Sequence, residues 1–452
     1  MDNLKEAAHR GERPGLSSMV APADPARSDY AYPSAPLHRV FYGWKLLAVF
    51  WFILVANLAF PMTGGSLLVT AMATGLNFSR EQLGLPFSVY FGVIGLSSPL
   101  VAWLIMRFGV RATLVLGNLC LAAGALALAT IVTTPGAAIF WFGGVIGFAV
   151  ASGGNLTTQT AIPRWFIRRR ALAYAIILTA SAIGGIVVAP ILTGFISRSP
   201  DGWRSGWWLL AGFGLVAALL AWLFVRERPE DIGQYADGAA QGPDMTTAAA
   251  KAENASVTTS QAFARPDFWA IIAASAIITA GVSLVLSHGV ANALDAGYST
   301  SATGWALALY AFTGFLGKVV VGAVGDRFNP AYVWAALLVP LAAGLLVAAF
   351  AMSGLGLYVY SIAVGFGLGG ALVCQPATVA HRFGAGGFAR VAGFMFLFQA
   401  VAGVSAPALA GWFFSSTSGY RWSFAVTALA CILGAVTLII TCRRTNKAVA
   451  EG

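Results

Sequence analysis

A single lysine interrupts a long apolar run. Lys318, in GFLGKVVVGAVGDRF (314–328), is the one charge between Ser301 and Asp326, and all 17 acids of the chain fall in loops, tails or the ends of apolar runs. Counting eight residues back from Asp326 at ~1.5 Å each puts Lys318 ~12 Å into an apolar layer, close to its midplane. An ammonium at that depth could hold an anion, because such groups usually face a bundle interior or a wet cavity and mark a substrate path. Two other readings stay open: the side chain snorkels to the interface, or burial keeps the amine neutral. His288 shares a helical face with Asn292 and Asp295. As a group that titrates near neutrality it is the candidate for proton coupling, beside the plainer role of a helix-to-helix hydrogen bond. Asn57, Tyr90, Asn155, Gln159, Tyr310, Gln375 and Gln399 also fall inside apolar runs. Each could bond one helix to another; as a set they imply a polar cavity for substrate. Tyr310, two turns before Lys318 on a similar face, is the best placed of them.

The elements that must position these groups follow from composition. Of 452 residues 58% are hydrophobic and 10% charged, against roughly 25% charged in soluble domains. Apolar runs of about 20 residues recur after residue 43 and can each cross a bilayer as a helix. An all-α polytopic membrane protein follows, since lipid leaves the backbone no partner outside its own helix or a closed barrel, and barrel-type alternation is missing. We read about twelve spans, starting near Gly43, Leu83, Ala112, Ala138, Arg170, Gly206, Phe268, Ser301, Ala331, Leu355, Phe388 and Tyr420. A polar stretch divides them into two pseudo-symmetric six-helix bundles. The domains expected are a disordered tail (1–42), a first bundle (43–225), a flexible linker (226–266), a second bundle (267–442) and a short tail (443–452). The halves also repeat: APILTGFIS (189–197) recurs as APALAGWFFS (406–415), and DGWRSGW (201–207) as SGYRWSF (418–424), both at an offset of 217. Duplication of a six-helix unit marks a transporter with its site between the repeats.

Charge sets the orientation. With both termini cytoplasmic, the inner segments hold 22 of the 27 Lys and Arg and the outer ones only Arg80, Arg198, Arg204 and Arg421, a strong positive-inside bias. The net charge of +10 therefore reflects topology and points to no nucleic acid partner. Four cysteines stand in no disulfide or metal spacing, and no metal or cofactor motif is visible. The first 40 residues have no apolar core and are no signal peptide. NFS (77–79) reads as a chance sequon.

The chain resembles the major facilitator superfamily over nearly everything after residue 40. The loop motif after the second span appears as Ala102, Leu104, Met106, Arg107, Gly109 and Arg111, with Met106 where the family has Asp. Its repeat after the eighth span keeps the acid, in Gly322, Asp326 and Arg327. Within the superfamily the chain is similar to the monocarboxylate transporters and their bacterial relatives. RWFIRRRALAYAIILTASAIGG supplies Phe166, Arg168, Arg169, Arg170, Leu172, Ala173 and Ala175 of their fifth-span signature; FYGW (41–44), then Ala59, Phe60 and Pro61, keep part of the first-span one. Met62 stands where animal members carry a lysine, and Gly314 and Lys318 where they carry an Asp and a carboxylate-binding Arg.

That resemblance implies a secondary active transporter for a small organic anion, a monocarboxylate, working by alternating access with proton symport or anion exchange. The alternative is a proton-coupled exporter of drugs or other amphipathic molecules, faintly suggested by APILTG behind Gly184 and Gly185 but lacking an intramembrane acid. An enzyme or a sensor is disfavoured: no HExxH, GxSxG or paired intramembrane carboxylates are present. The cytoplasmic loop motifs, Arg107, Gly109, Arg111, Arg168, Arg169, Arg170, Gly322, Asp326 and Arg327, with Arg164, read as span anchors and gate braces rather than ligands. The implied partners are the bilayer, a small anion and protons, in a bacterial inner membrane; the need for an accessory subunit stays open.

Overall fold

The structure, a computed structural model, describes residues 41–78, 80–182, 187–199, 201–239, 257–417 and 419–451. The N-terminal tail, the centre of the linker and Ser79 of the NFS tripeptide lie outside the described residues. Within them nine helices are long and apolar enough to cross a membrane. Two of these exceed any bilayer: Arg80–Thr130 has 51 residues and Gly356–Thr417 has 62, lengths of ~77 and ~93 Å if straight. Each turns sharply at a glycine in the left-handed region, Gly109 (φ 88°) and Gly384 (φ 63°), which a side chain would strain.

Splitting them there gives α1 (42–75), α2 (80–108), α3 (110–130), α4 (135–165), α5 (Arg170–Leu178, Thr179–Ala182 and Ala189–Ile196), α6 (Gly202–Phe224), α7 (Pro266–Asp295), α8 (Thr300–Val324), α9 (Pro330–Phe350), α10 (356–383), α11 (385–417) and α12 (Arg421–Glu451). The twelve-helix, two-bundle architecture expected from the apolar runs is the one observed. The repeated segments fall at equivalent places, the C-terminal ends of α5 and α11 and, for their described residues, the starts of α6 and α12. The helix ends that carry the arginine-bearing loops gather on one side, the basic face.

Three helices of the first bundle lose regular α winding near mid-length. Pro61 has no N–H to give, and α1 widens to a π helix over Val55–Gly64. Ile139–Ile146 of α4 is π-wound too, and the helix breaks at Gly154 before Asn155. Thr179–Ala182 of α5 tightens to a 3-10 turn. Non-α backbone at membrane depth is tolerated where it is buried in protein or lines a cavity, so these breaks bracket the region where polar chemistry fits.

In the second bundle α8 and α10 approach through glycines. A Cβ on Gly369 would sit 2.0 Å from the Gly314 carbonyl oxygen, and one on Gly317 2.4 Å from the Phe366 oxygen. The close approach depends on Gly369 and Gly317; a Cβ on Gly314 would lie 3.4 Å from the Gly365 carbonyl oxygen, an ordinary contact. Gly369→Ala has only backbone to push against and should cost about 1–3 kcal/mol by overpacking. The thermal midpoint of the detergent-solubilised variant should fall by several degrees from wild type; an unchanged midpoint would mean that α8 and α10 can part at this glycine without cost.

Two stretches differ from the sequence expectation. The linker's first part, 226–239, is folded against the first bundle rather than free. Glu227 accepts the Val110 and Arg111 N–H groups (3.0 and 2.8 Å), Asp237 accepts those of Ile167 and Arg168 (3.0 and 2.8 Å), and Gln234 Oε1 accepts that of Tyr42 (2.9 Å). Helix starts on the basic face leave N–H donors unpaired, and acids from the following segment satisfy them. At the other end α12 stays helical to Glu451, past Cys442 where the reading of the sequence ended it.

Candidate functional site

The bundles meet along α5 with α8 and α2 with α11. A Cβ on Gly322 would lie 2.5 Å from Ala175 Cβ, and one on Gly95 2.0 Å from Ala400 Cβ, so small residues let the helices close tightly. Lys318 sits in the α5/α8 seam, 9% exposed. Its Nζ donates to Ser181 Oγ at 3.0 Å, across the bundle boundary and within the 3-10 turn of α5. Ion pairs among the described residues include Arg164–Glu227, Arg204–Asp201 and Arg265–Asp267, all away from Lys318. The lysine is thus not snorkelled to the surface. It is a buried amine with a hydroxyl for a partner, and its remaining N–H donors can serve a further acceptor.

The other polar residues divide into pairs. Asn57, fully buried in the π stretch of α1, donates to Asn118 Oδ1 (2.8 Å), while Asn118 donates to the Gly153 carbonyl (3.2 Å). That network staples α1, α3 and α4 together and turns Asn57 inward to its own bundle. Gln159 donates to Asn155 Oδ1 (2.7 Å), the i+4 contact expected on α4, and leaves its Oε1 buried without a protein partner. Gln399 donates to Gln375 Oε1 (2.9 Å) between α11 and α10, leaving the Gln375 Nε2 buried and unpartnered. These two amide pairs retain unspent hydrogen-bonding capacity, which a polar ligand or water would meet.

Tyr90 is stacked on Phe142 at 5.2 Å inside the first bundle, its hydroxyl buried without a partner. Tyr310 does not point along Lys318: eight residues at ~100° each leave them about 80° apart on α8. It lines a crevice between α7, α8 and α10 with Thr303, Leu307, Val290 and Tyr360. His288 lies farther still. It is 22 residues from the basic-face end of α7, against six for Lys318 on α8, a difference of about 24 Å in depth. Its Nε2 is 3.2 Å from the Pro407 carbonyl and its ring packs on Tyr420 at 4.9 Å. Asn292 donates to the Ala348 carbonyl (3.1 Å). The histidine therefore joins helices within the second bundle and does not share a site with Lys318.

The loop-motif residues gather at the basic face. Asp326 accepts the N–H groups of Ala171 and Leu172 (2.8 and 3.1 Å), capping the start of α5 from the other bundle; Arg327 is exposed. Arg170 reaches the Ala380 carbonyl of α10 (3.4 Å) and the Phe166 carbonyl (3.0 Å). Arg169 lies 5.8 Å over Trp44, and Arg111 4.6 Å over Trp222; Arg107 and Arg168 have exposed side chains. Gly109 provides the turn under which Glu227 fits, since a Cβ there would meet Glu227 Oε1 at 2.5 Å.

Four residues with clear roles were not singled out from sequence: Ser181, Thr179 (which accepts Trp51 Nε1–H at 3.0 Å), Glu227 and Asp237. Ser181 and Thr179 look like any small polar residue of an apolar run. The one signal available was their place just before Gly184 and Gly185, where a helix is prone to unwind.

A profile of the Major Facilitator Superfamily matches residues 49–291 and 290–452. Among curated relatives, the MFS transporter asaE of Aspergillus flavus is 22% identical over 290 residues, 63% of this chain and 60% of that protein. An uncharacterised MFS-type transporter of Bacillus subtilis, YcxA, is 25% identical over 86% of this chain and 94% of its own length. Monocarboxylate transporter 12-B of Danio rerio is 23% identical over 63% of this chain and 64% of its own. Against the first and third of these the match thus spans under two thirds of the relative. The fold is similar to that of the Escherichia coli fucose:proton symporter FucP, with a TM-score of 0.67 at 13% identity, covering 89% of this chain and 99% of that one.

Proposed function

The chain belongs to the major facilitator superfamily, and from that premise we propose that it is a secondary active transporter of small organic anions, monocarboxylates first, with Lys318 as the counter-charge. One observation carries this reading: a buried lysine at the bundle boundary has a hydroxyl and, among the described residues, no carboxylate for a partner. A charge in that setting is costly unless something neutralises it, and a substrate carboxylate is the complementary group. The similarity to proteins named as monocarboxylate transporters supports the same substrate class. Gln375, Gln399, Asn155 and Gln159 would meet the polar remainder of the substrate. Asn57 and Tyr90, packed inside the first bundle, Tyr310, in a crevice of the second, and His288 on α7 would act on transport through helix packing and not by contact with the substrate.

The basic face is cytoplasmic in this reading, as the positive-inside bias favours, in a bacterial inner membrane. Asp326, Gly322, Arg170 and the α5 start form its inner gate, while Arg107, Gly109, Arg111, Arg168, Arg169 and Arg327 anchor the loops. Rocking of the two bundles exposes Lys318 to either side. The test is uptake into proteoliposomes of labelled lactate, pyruvate, acetate, oxalate and phenylacetate beside a cationic dye. Saturable uptake of one or more acids, with the dye ignored, is expected. Dye movement without acid uptake would overturn the anion reading in favour of drug export.

A further inference from the structure

The partner of Lys318 belongs to the opposite bundle, and this has a consequence for how transport is coupled. Ser181 sends its own proton to the Leu178 carbonyl (2.9 Å), so toward Lys318 its oxygen can only accept. The turn that holds it is fixed on its other side: Trp51 of α1 donates to Thr179 Oγ1 (3.0 Å), and Thr179 donates to the Ile176 carbonyl (2.7 Å). Between this bond and the basic face, α5 and α8 stay in contact at Gly322 with Ala175 and at Asp326 with Ala171 and Leu172. Opening that face must pull Lys318 away from Ser181.

Resting on the anion reading above, we propose that Ser181 is a positioning residue that holds the Lys318 ammonium across the bundle boundary in the empty carrier, making its reorientation slow and the transport cycle an anion-for-anion exchange. The reason is what each state offers the cation while the bundles part. Without substrate the ammonium gives up its hydroxyl acceptor, and no carboxylate stands within reach among the described residues. With substrate a carboxylate takes the two free N–H donors first, so the pair crosses the occluded state neutralised and the bond to Ser181 can be released. A ligand speeds a transition only by interacting better with it than with the starting state, and here the loaded carrier has that advantage. A hydrogen bond to a charged donor is worth roughly one to two orders of magnitude in an equilibrium, enough to separate the two rates.

The experiment compares two fluxes of labelled pyruvate and phenylacetate in proteoliposomes: exchange into vesicles preloaded with the same unlabelled acid, and net entry into empty vesicles with and without an inward proton gradient. Wild type should exchange at least about tenfold faster than it accumulates. Ser181→Ala should collapse that ratio toward one by releasing the empty carrier, and Ser181→Thr, which keeps the hydroxyl, should restore it. Wild-type net entry equal to exchange, or a Ser181→Ala variant in which both fluxes change in proportion, would overturn the proposal while leaving the anion reading intact. Absence of acid flux in both modes would overturn the anion reading, and this proposal with it.

Discussion

Lys318→Ala is expected to lower acid uptake by at least ~100-fold, because a carboxylate that loses two charge-assisted bonds of about 1.5 kcal/mol or more each loses about two orders of magnitude in affinity. The same substitution should stabilise the folded protein. A lysine buried within a membrane-spanning helix is costly, and the Ser181 hydroxyl offsets only part of that cost. Loss of transport with a gain of a few degrees in thermal midpoint is therefore the joint signature of a charge kept for its ligand. Lys318→Arg should retain partial uptake with an altered preference among acids, since the guanidinium fork takes a carboxylate in a different geometry from a point ammonium. Uptake and detergent thermal unfolding, measured on the same preparations, check both halves. If Lys318→Ala transports as wild type does, the lysine is not a ligand; if it transports nothing but is also less stable, the lysine is a structural tie between the bundles.

Much of this architecture is written in the sequence because it depends on composition over long windows. Apolar runs must be helices in lipid, and the duplicated APILTG and APALAG segments place two bundles without reference to any contact. Lys318 was equally legible, since a lone charge in such a run has few physical explanations. Its partner was not. Ser181 lies 137 residues away in sequence, and nothing local distinguishes a serine that accepts from an ammonium from one that bonds its own helix. The same limit applies to Asn57, whose amide is satisfied by Asn118, 61 residues on, and to the acids of the linker. Glu227 and Asp237 read as solvated charges in a flexible stretch, yet each caps backbone donors on the basic face. Side-chain type records the capacity to bond; which backbone N–H groups lie opposite is a property of the folded bundle. His288 shows the converse case. Its helical companions Asn292 and Asp295 were visible in the spacing, but depth along the helix separates it from Lys318.

Asp326→Ala should shift the conformational balance of the carrier toward an open basic face. In the present arrangement Asp326 closes that face by accepting two N–H groups at the start of α5, from a helix of the other bundle. The carboxylate also sits at the positive end of the α5 dipole, which favours it further. Two such bonds are worth about 2–3 kcal/mol after allowing for non-additivity, so their loss should move the open-to-closed ratio by roughly 30- to 150-fold. Arg168 and Phe328 are exposed on opposite sides of this seam, and spin labels on cysteines introduced there, in a background freed of native cysteines, would report their separation. The longer-distance population should grow in Asp326→Ala and stay as in wild type in Arg327→Ala, whose side chain points to solvent. Transport should fall with it, because alternating access needs both end states near balance, and a carrier held open on one side stops turning over even with its substrate site intact. The uptake defect of Asp326→Ala should accordingly lie in maximal rate with little change in half-saturation, opposite to a lost ligand. An unchanged distance distribution would show that the glycine contacts of α5 and α8 close the face without the carboxylate, and that the acid only caps a helix.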